Sequence, residues 1–244
     1  MKRDPAWIEA LWGTLRESQR FRLGELLPQA KAQLGQDLFV ASQWLAHDLP
    51  SYFVEVGGTD GVELSNTHLL ETRLGWRGLV VEPAKVWHEA LRANRHCAID
   101  HRCVTDRSGK QVEFLETQAA TDTYQHSSAA LSSMAQFAAS GDWATAIREG
   151  NSKRYAVSTV SLDDLLAEHG APREIGYLSL DTEGSERLIL EGHDFERYRF
   201  HLVTVEHNFH SANRQAIFAL LTRNGYRRLL PEISRWDDWY ALVA

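Results

Sequence analysis

A mostly parallel β-sheet covered by helices on both faces is the architecture this sequence predicts, and three observations predict it. First, a strand-like run enters a glycine corner and a helix-compatible segment follows, in Tyr52-Phe-Val-Glu-Val-Gly-Gly-Thr-Asp-Gly61 and then Ser65-Asn-Thr-His-Leu-Leu-Glu-Thr-Arg-Leu74. Second, further strand-like runs alternate with helical ones, the pattern of successive βα units. Third, acids recur at or just after the ends of those runs: Glu55 with Asp60, Glu82, Asp181 with Glu183, and Glu206 beside His207. Open sheets of this kind bind ligands beyond the carboxyl ends of their strands, so these side chains are expected to share one functional edge.

Size and charge bound the problem. At 244 residues the chain is long enough for one full α/β core. A net charge of −7 and an isoelectric point near 5.9 give no global electrostatic case for nucleic-acid binding. Cys97 and Cys103, six positions apart on or near one expected strand, read as buried free thiols in a reducing compartment, not as a disulfide. The start of the chain lacks an apolar leader and no run of about eighteen apolar residues occurs, so a cytoplasmic protein without an integral membrane segment is expected.

Taken in order, residues 5–49 read as helical. Leu11, Trp12 and Leu15 recur at helical spacing after Trp7 and Ile8, and Leu38, Phe39, Trp44 and Leu45 suggest a second helix. Pro50-Ser51 stops the helical run before the glycine strand. A short strand over 78–82 follows the first βα step, and Pro83 suits the first turn of a helix through Asn94. Residues 97–104 read as one strand, and 112–115 as a returning strand after the turn at Asp106-Arg-Ser-Gly109. Residues 116–154 are rich in small polar residues and read as an irregular lid-like insertion. Strand character returns over 155–160, and Ser161 caps a helix with Asp164 three positions on. Two more strands, 175–181 and 200–206, each end in an acid. An amphipathic helix through Leu221 stops at Asn224-Gly225, and strands over 226–230 and 239–243 finish the chain. The expected division is an N-terminal helical cap over 1–50 and a Rossmann-like domain over 51–244, with the insertion at about 116–154.

The glycine corner narrows the ligand. A dinucleotide fold places G-x-G-x-x-G where a pyrophosphate rests on a helix N-terminus. Here Thr59 stands at the second glycine position and Asp60 at the corner, with Glu55 before it. Such acids repel a pyrophosphate and attract a cationic cofactor such as S-adenosylmethionine, with its sulfonium and ammonium. Glu82, some twenty positions further on, stands where these folds hold ribose hydroxyls. A plain strand and turn with structural glycines is the bland alternative, since a lone glycine motif is weak.

An ordered set of motifs resembles the FkbM family of S-adenosylmethionine-dependent methyltransferases. The matching pieces are Gln33-Leu-Gly-Gln-Asp37, Phe53-Val-Glu-Val-Gly-Gly-Thr-Asp-Gly61, Ser65-Asn-Thr67, Gly75-Trp-Arg-Gly78 and Glu82-Pro83. Val160-Ser-Leu-Asp163, Tyr177-Leu-Ser-Leu-Asp-Thr-Glu-Gly-Ser-Glu186 and Glu206-His-Asn208 complete it. The resemblance implies a class I methyltransferase fold, a seven-stranded sheet whose last strand is antiparallel. It implies O-methylation of a hydroxyl on a small-molecule or glycan acceptor. By position, Glu55, Gly57 and Gly61 would cradle the methionine part of the cofactor, Glu82 the ribose, and Asp181 would face the transferred methyl. Gly58 stands where the family often has alanine, a harmless exchange on this reading.

Other site residues follow from placement. Asp181, Glu206 and His207 are expected to line the acceptor site, as a proton-accepting network or as ligands of Mg²⁺ or another divalent cation. Asn66 and Thr67 open the first helix and would bond either the cofactor or the helix backbone, Gly58 and Asp60 belong to the corner, and Asp106 stands after the third strand, where many such folds contact the adenine. Glu183 reads equally as a helix cap. Gln36 and Asp37 sit before the cap helix, where they could reach over the cofactor; Tyr124 and His126 read first as surface-loop residues and second as acceptor contacts; Trp76 would anchor packing. A nicotinamide-dependent sugar-modifying oxidoreductase and a non-catalytic carbohydrate-pathway subunit are the competing functions.

Overall fold

The structure is a computed structural model that describes residues 5–13, 15–117, 128–138 and 145–243, without the side chains of 5–8 and Ser128. Tyr124, His126 and Trp143 therefore lie outside the described residues. Helices α1 (Pro5–Trp12), α2 (Glu17–Leu26) and α3 (Gln36–Ala46) precede β1 (Tyr52–Val56), α4 (His68–Leu74), β2 (Arg77–Val81), α5 (His88–Asn94) and β3 (Ala98–Asp100). Then come β4 (Cys103–Thr105), β5 (Gln111–Thr117), β6 (Ser133–Met134), α6 (Ala135–Ala138), α7 (Thr145–Gly150), β7 (Ser152–Ser161) and α8 (Leu162–Glu168). The chain ends with β8 (Glu174–Leu180), α9 (Glu186–Glu191), β9 (Arg199–Glu206), α10 (Ser211–Arg223), β10 (Tyr226–Leu229) and β11 (Asp237–Leu242). No helix among the described residues is long and apolar enough to cross a membrane.

Seven strands form the main sheet in the order β10-β11-β9-β8-β1-β2-β3. Pairing is parallel from β3 through β9, whereas β11 runs antiparallel to both β9 and β10. The sheet is thus mixed, with the last strand reversed. β1 sits centrally, flanked by β2 on one side and β8 on the other, so the chain changes winding direction beside it. That switch point opens a crevice at the strand ends.

Period-two alternation sorts the core onto the two faces. Val54, Val56, Leu79 and Val81 join an apolar cluster with residues of α8, α9 and α10. Phe53 and Val80 point the other way, into a cluster that holds Leu23 and Leu26 of α2 and Leu38 and Phe39 of α3. Phe39 stacks on Trp239 at 4.8 Å, joining α3 to β11. Trp76 is buried and meets Trp44 edge-on, the packing anchor expected of it.

Three expectations about elements are corrected. The run 97–104 is two strands in two sheets, because Asp100 bends the chain: its carboxylate accepts the Arg102 backbone N–H at 2.9 Å and the same residue's guanidinium at 2.7–3.2 Å. β3 pairs with β2, and β4 leaves to pair with β7. Secondly, the returning strand expected over 112–115 belongs to a full second sheet of order β4-β7-β5-β6, in which β5 and β7 pair from Gln111↔Ser158 to Thr117↔Ser152. The described parts of 116–154 therefore carry the ends of two strands, a 3-10 turn at Ser128–Leu131, β6, α6 and α7. Thirdly, the helix expected from Pro83 starts later, since the Glu82 carboxylate takes the Ala84 N–H at 2.7 Å and holds that residue extended. Elsewhere local signals hold: Ser161 Oγ accepts the Asp164 N–H at 3.2 Å, and Gly225, at φ 87°, follows α10.

Candidate active site at the strand ends

The glycine corner is a product of crowding. The Gly57 and Gly58 amides both donate to the Val81 carbonyl, while the Asp181 amide donates to Val56, so the corner is wedged between the ends of β2 and β8. A Cβ on Gly57 would lie 1.8 Å from the Asp181 carbonyl oxygen, and its φ of 94° already excludes most side chains. At Gly58 an added Cβ would meet Val80 Cγ1 at 2.1 Å, so glycine fits this corner while a side chain would require a fully buried valine to move.

Above this corner lies a cavity of about 390 Å³, within the range of small-molecule sites. Gly57, Asn66, Glu82, Asp181, Glu183 and Glu206 line it, with Cys103, Val104, Phe114 and Met134 giving an apolar flank. Thr59, Leu64, Glu183, Asn208 and Phe209 also line it, each with φ between 44° and 62°. Left-handed backbone at non-glycine residues costs roughly 1–3 kcal/mol each and collects at functional sites.

Glu82, just past β2, is buried, and its oxygens accept the Thr59 and Ala84 amides at 2.8 and 2.7 Å. Burial pushes this carboxyl up to about 7, against the two amide bonds. Asn66 donates its Nδ2 to Ser179, whereas its buried Oδ1 has no partner and remains an acceptor on the cavity wall. Across the crevice, oxygens of Asp181, Glu183 and Glu206 converge within 4.8 Å of one another. The fully buried Arg148 of α7 pairs with Glu183, and Asn208 donates to Glu206 at 2.8 Å. Burial, then the charges of Asp181, Glu183, Glu186 and Asp237, holds the Glu206 carboxyl far above its ordinary value. Asp181 is raised less, chiefly by burial and then by Glu186, and its hydrogen bond with Glu206 opposes the rise. Both carboxyls are thus raised, Glu206 the further, and two buried acids this close favour a single proton shared between them near neutral pH.

Several expected site residues stand elsewhere. Glu55 follows Phe53 by two positions and so faces the same helical side of the sheet, away from the crevice. Its carboxylate receives Ser65 Oγ, the Asn66 amide and Thr67 Oγ1 at 2.5–3.1 Å and pairs with Arg95 at 3.3 Å. Glu55 and Thr67 are thus occupied with each other. Asp60 Oδ1 accepts the Val62 and Glu63 amides at 2.8 Å, closing the corner loop. Gly61 backs onto Arg95 and Leu91. Asp106 lies beyond β4 instead of β3, paired with Arg107 and packed on Gly192; the end of β3 brings Arg102 to the cavity in its place. His207 is turned away from Asp181. Its Nδ1 accepts the Phe209 N–H at 3.0 Å and its Nε2 lies 3.8 Å from Asp238, beside a separate chamber of about 180 Å³ behind Glu206. In the acid cluster Glu183 takes the place expected for His207. Glu183 does not cap α9; Glu186 ties that corner, accepting the Thr182 and Gly184 amides at 2.8 and 3.1 Å. Gln36 and Asp37 are also structural, bonded to Asp237 and to the amides of Lys31, Ala32 and Leu38.

Asp237 gives a pH test of this buried acidity. Burial first, and then the Asp181 charge, push its carboxyl from 3.8 up to about 8, against the hydrogen bond from Gln36. A raised acid keeps a proton that the unfolded chain has released, so its stabilising contribution is complete below the ordinary carboxyl range and is lost as pH rises through about 8. Thermal melts from roughly pH 5 to about 8 are expected to fall more steeply for the wild type than for Asp237→Asn. Parallel curves would remove Asp237 from this role.

Compared with known proteins, residues 55–228 match the family described as methyltransferase FkbM domain. No curated protein matches the chain.

Proposed function

The chain belongs to the FkbM methyltransferase family, and on that premise we propose that it uses S-adenosylmethionine to methylate a hydroxyl of a sugar or other small-molecule acceptor. The observation that carries this reading is the acid-rich edge of the cavity. Asn66 Oδ1 is a buried acceptor without a partner, and Glu82 keeps lone pairs beyond the two amides it binds. The two groups suit an ammonium and a ribose diol. The apolar flank of Cys103, Val104, Phe114 and Met134 suits an adenine. A dinucleotide pyrophosphate would instead meet Glu63, Glu82, Asp181, Glu183 and Glu206, all of which line the cavity. The electrostatic argument against it then rests on Glu63 and on the charge kept by the Asp181–Glu206 pair, not on Glu55 and Asp60.

When bound, S-adenosylmethionine supplies a methyl group on a sulfonium, whose positive charge disappears as the methyl leaves. The chain's task is alignment and proton removal. Asp181, charged and at the crevice, accepts the acceptor's hydroxyl proton, and the freed oxygen lone pair forms the new bond to carbon. Glu206 keeps its own proton and donates to Asp181, holding the carboxylate in place. A divalent cation fits this cluster poorly, because Arg148 and Asn208 occupy oxygens of Glu183 and Glu206 and His207 faces Asp238. Excess chelator is expected to leave turnover unchanged.

Titration with S-adenosylhomocysteine tests the donor half without knowledge of the acceptor. It is expected to raise the melting temperature by several degrees, as about 2.7 kcal/mol is gained at a hundredfold excess over Kd, while NAD leaves it unchanged. Stabilisation by NAD alone would favour the oxidoreductase reading, and no response to either would favour a non-catalytic subunit.

A further inference from the structure

The mouth of the cavity is built from side chains that the donor half does not use. Phe209 is 67% exposed although large and apolar, and it lines the cavity together with the half-buried Trp236. Its presentation is enforced. Asn208 and Phe209 are both left-handed, at φ 44° and 60°, an outlying conformation for a bulky residue. The Trp236 carbonyl accepts the His207 and Asn208 amides at 2.8 and 3.2 Å, and His207 Nδ1 accepts the Phe209 N–H at 3.0 Å. The His207 ring meets Phe209 nearly perpendicularly, with centroids 5.8 Å apart. Arg235, also left-handed at φ 54°, sets its guanidinium 6.0 Å from the Trp236 ring centre. Two aromatic rings, tied together through one carbonyl, therefore flank the mouth beside Glu63, Glu183 and Glu206.

An aromatic face with carboxylates and an amide at its edge recognises a particular chemistry. The C–H face of a pyranose packs on the ring, and its hydroxyls donate to the acids. Glu63 and the Asp181–Glu206 pair, which keeps one negative charge when it shares a proton, disfavour a carboxylate or phosphate on the acceptor. Resting on the methyl-donor reading above, we propose that Phe209 and Trp236 form the acceptor subsite and select a neutral pyranose ring over an anionic one.

Saturation-transfer NMR tests this without the natural acceptor, on protein saturated with S-adenosylhomocysteine. The probes are methyl β-D-glucopyranoside and the corresponding methyl glucuronide. The wild type is expected to transfer saturation to the neutral glycoside, mostly to protons of one ring face, and several-fold less to the glucuronide. Phe209→Ala and Trp236→Ala each lower the transfer about three- to tenfold, and Phe209→Tyr retains it. Affinity for S-adenosylhomocysteine, measured on the same samples, stays constant and shows that the variants are folded. Undiminished transfer in both alanine variants, a preference for the glucuronide, or no transfer to the neutral glycoside while S-adenosylhomocysteine stays bound would overturn the subsite and leave the donor reading intact. Failure of the wild type to bind S-adenosylhomocysteine would overturn the donor reading and the subsite with it.

Discussion

Asp181→Asn is expected to lower kcat about 10²–10⁴-fold, the usual contribution of a positioned general base, with little change in S-adenosylhomocysteine affinity. The exchange preserves shape but removes the proposed proton acceptor from the acid cluster at the crevice. Its backbone amide, bonded to Val56, is untouched, so the β1–β8 corner stays closed. Glu206→Gln should cost less, since Glu206 is the more strongly raised of the two carboxyls and a carboxamide can still donate to Asp181. The two variants together separate a base from a simple wall of negative charge. Turnover of an acceptor, measured alongside calorimetric titration with S-adenosylhomocysteine, checks the pair. Equal losses in both, or retention of full rate in Asp181→Asn, would take the proton-accepting role away from Asp181.

Glu55→Ala should destabilise the fold by about 3–5 kcal/mol, a large share of the total for a domain of ordinary stability. Glu55 and Arg95 are both nearly inaccessible to solvent, and Arg95 also pairs with Glu71. Removing the carboxylate leaves a buried guanidinium short of one partner. It also strips acceptors from Ser65 Oγ, the Asn66 amide and Thr67 Oγ1, which together start α4. Chemical denaturation gives the measurement. A loss under about 1 kcal/mol would mean that water or Glu71 takes over the load. Because Asn66 hangs from the same carboxylate, cofactor affinity should fall as well, although Glu55 lies outside the cavity lining.

Glu55 shows where reading the sequence reaches its limit. The acid before the glycine corner is visible in the chain, but its direction is decided by strand alternation and by which helices cover that face. Phe53 and Glu55 point the same way, and the guanidinium that meets the carboxylate comes from Arg95, 40 positions later. His207 is a similar case: its place after β9 is legible, yet a backbone N–H of the next turn fixes its ring away from Asp181. Arg148 offered no signal at all. It sits in a run of small residues and acquires a role only when α7 packs beside Glu183.

By itself the sequence determined what local physics controls: the alternation of strands and helices, the glycine corner, the Ser161 cap and the acids at the ends of β2, β8 and β9. These follow from short-range sterics, hydrophobic period and backbone hydrogen bonding, all of which act within a few residues. Only the tertiary structure decided that 97–104 splits between two sheets, which acids face the crevice, that burial raises the Asp181 and Glu206 carboxyls, and that Phe209 and Trp236 line the same cavity. Those outcomes depend on burial and on contacts between distant segments, and desolvation of a carboxyl has no counterpart in an isolated stretch of chain.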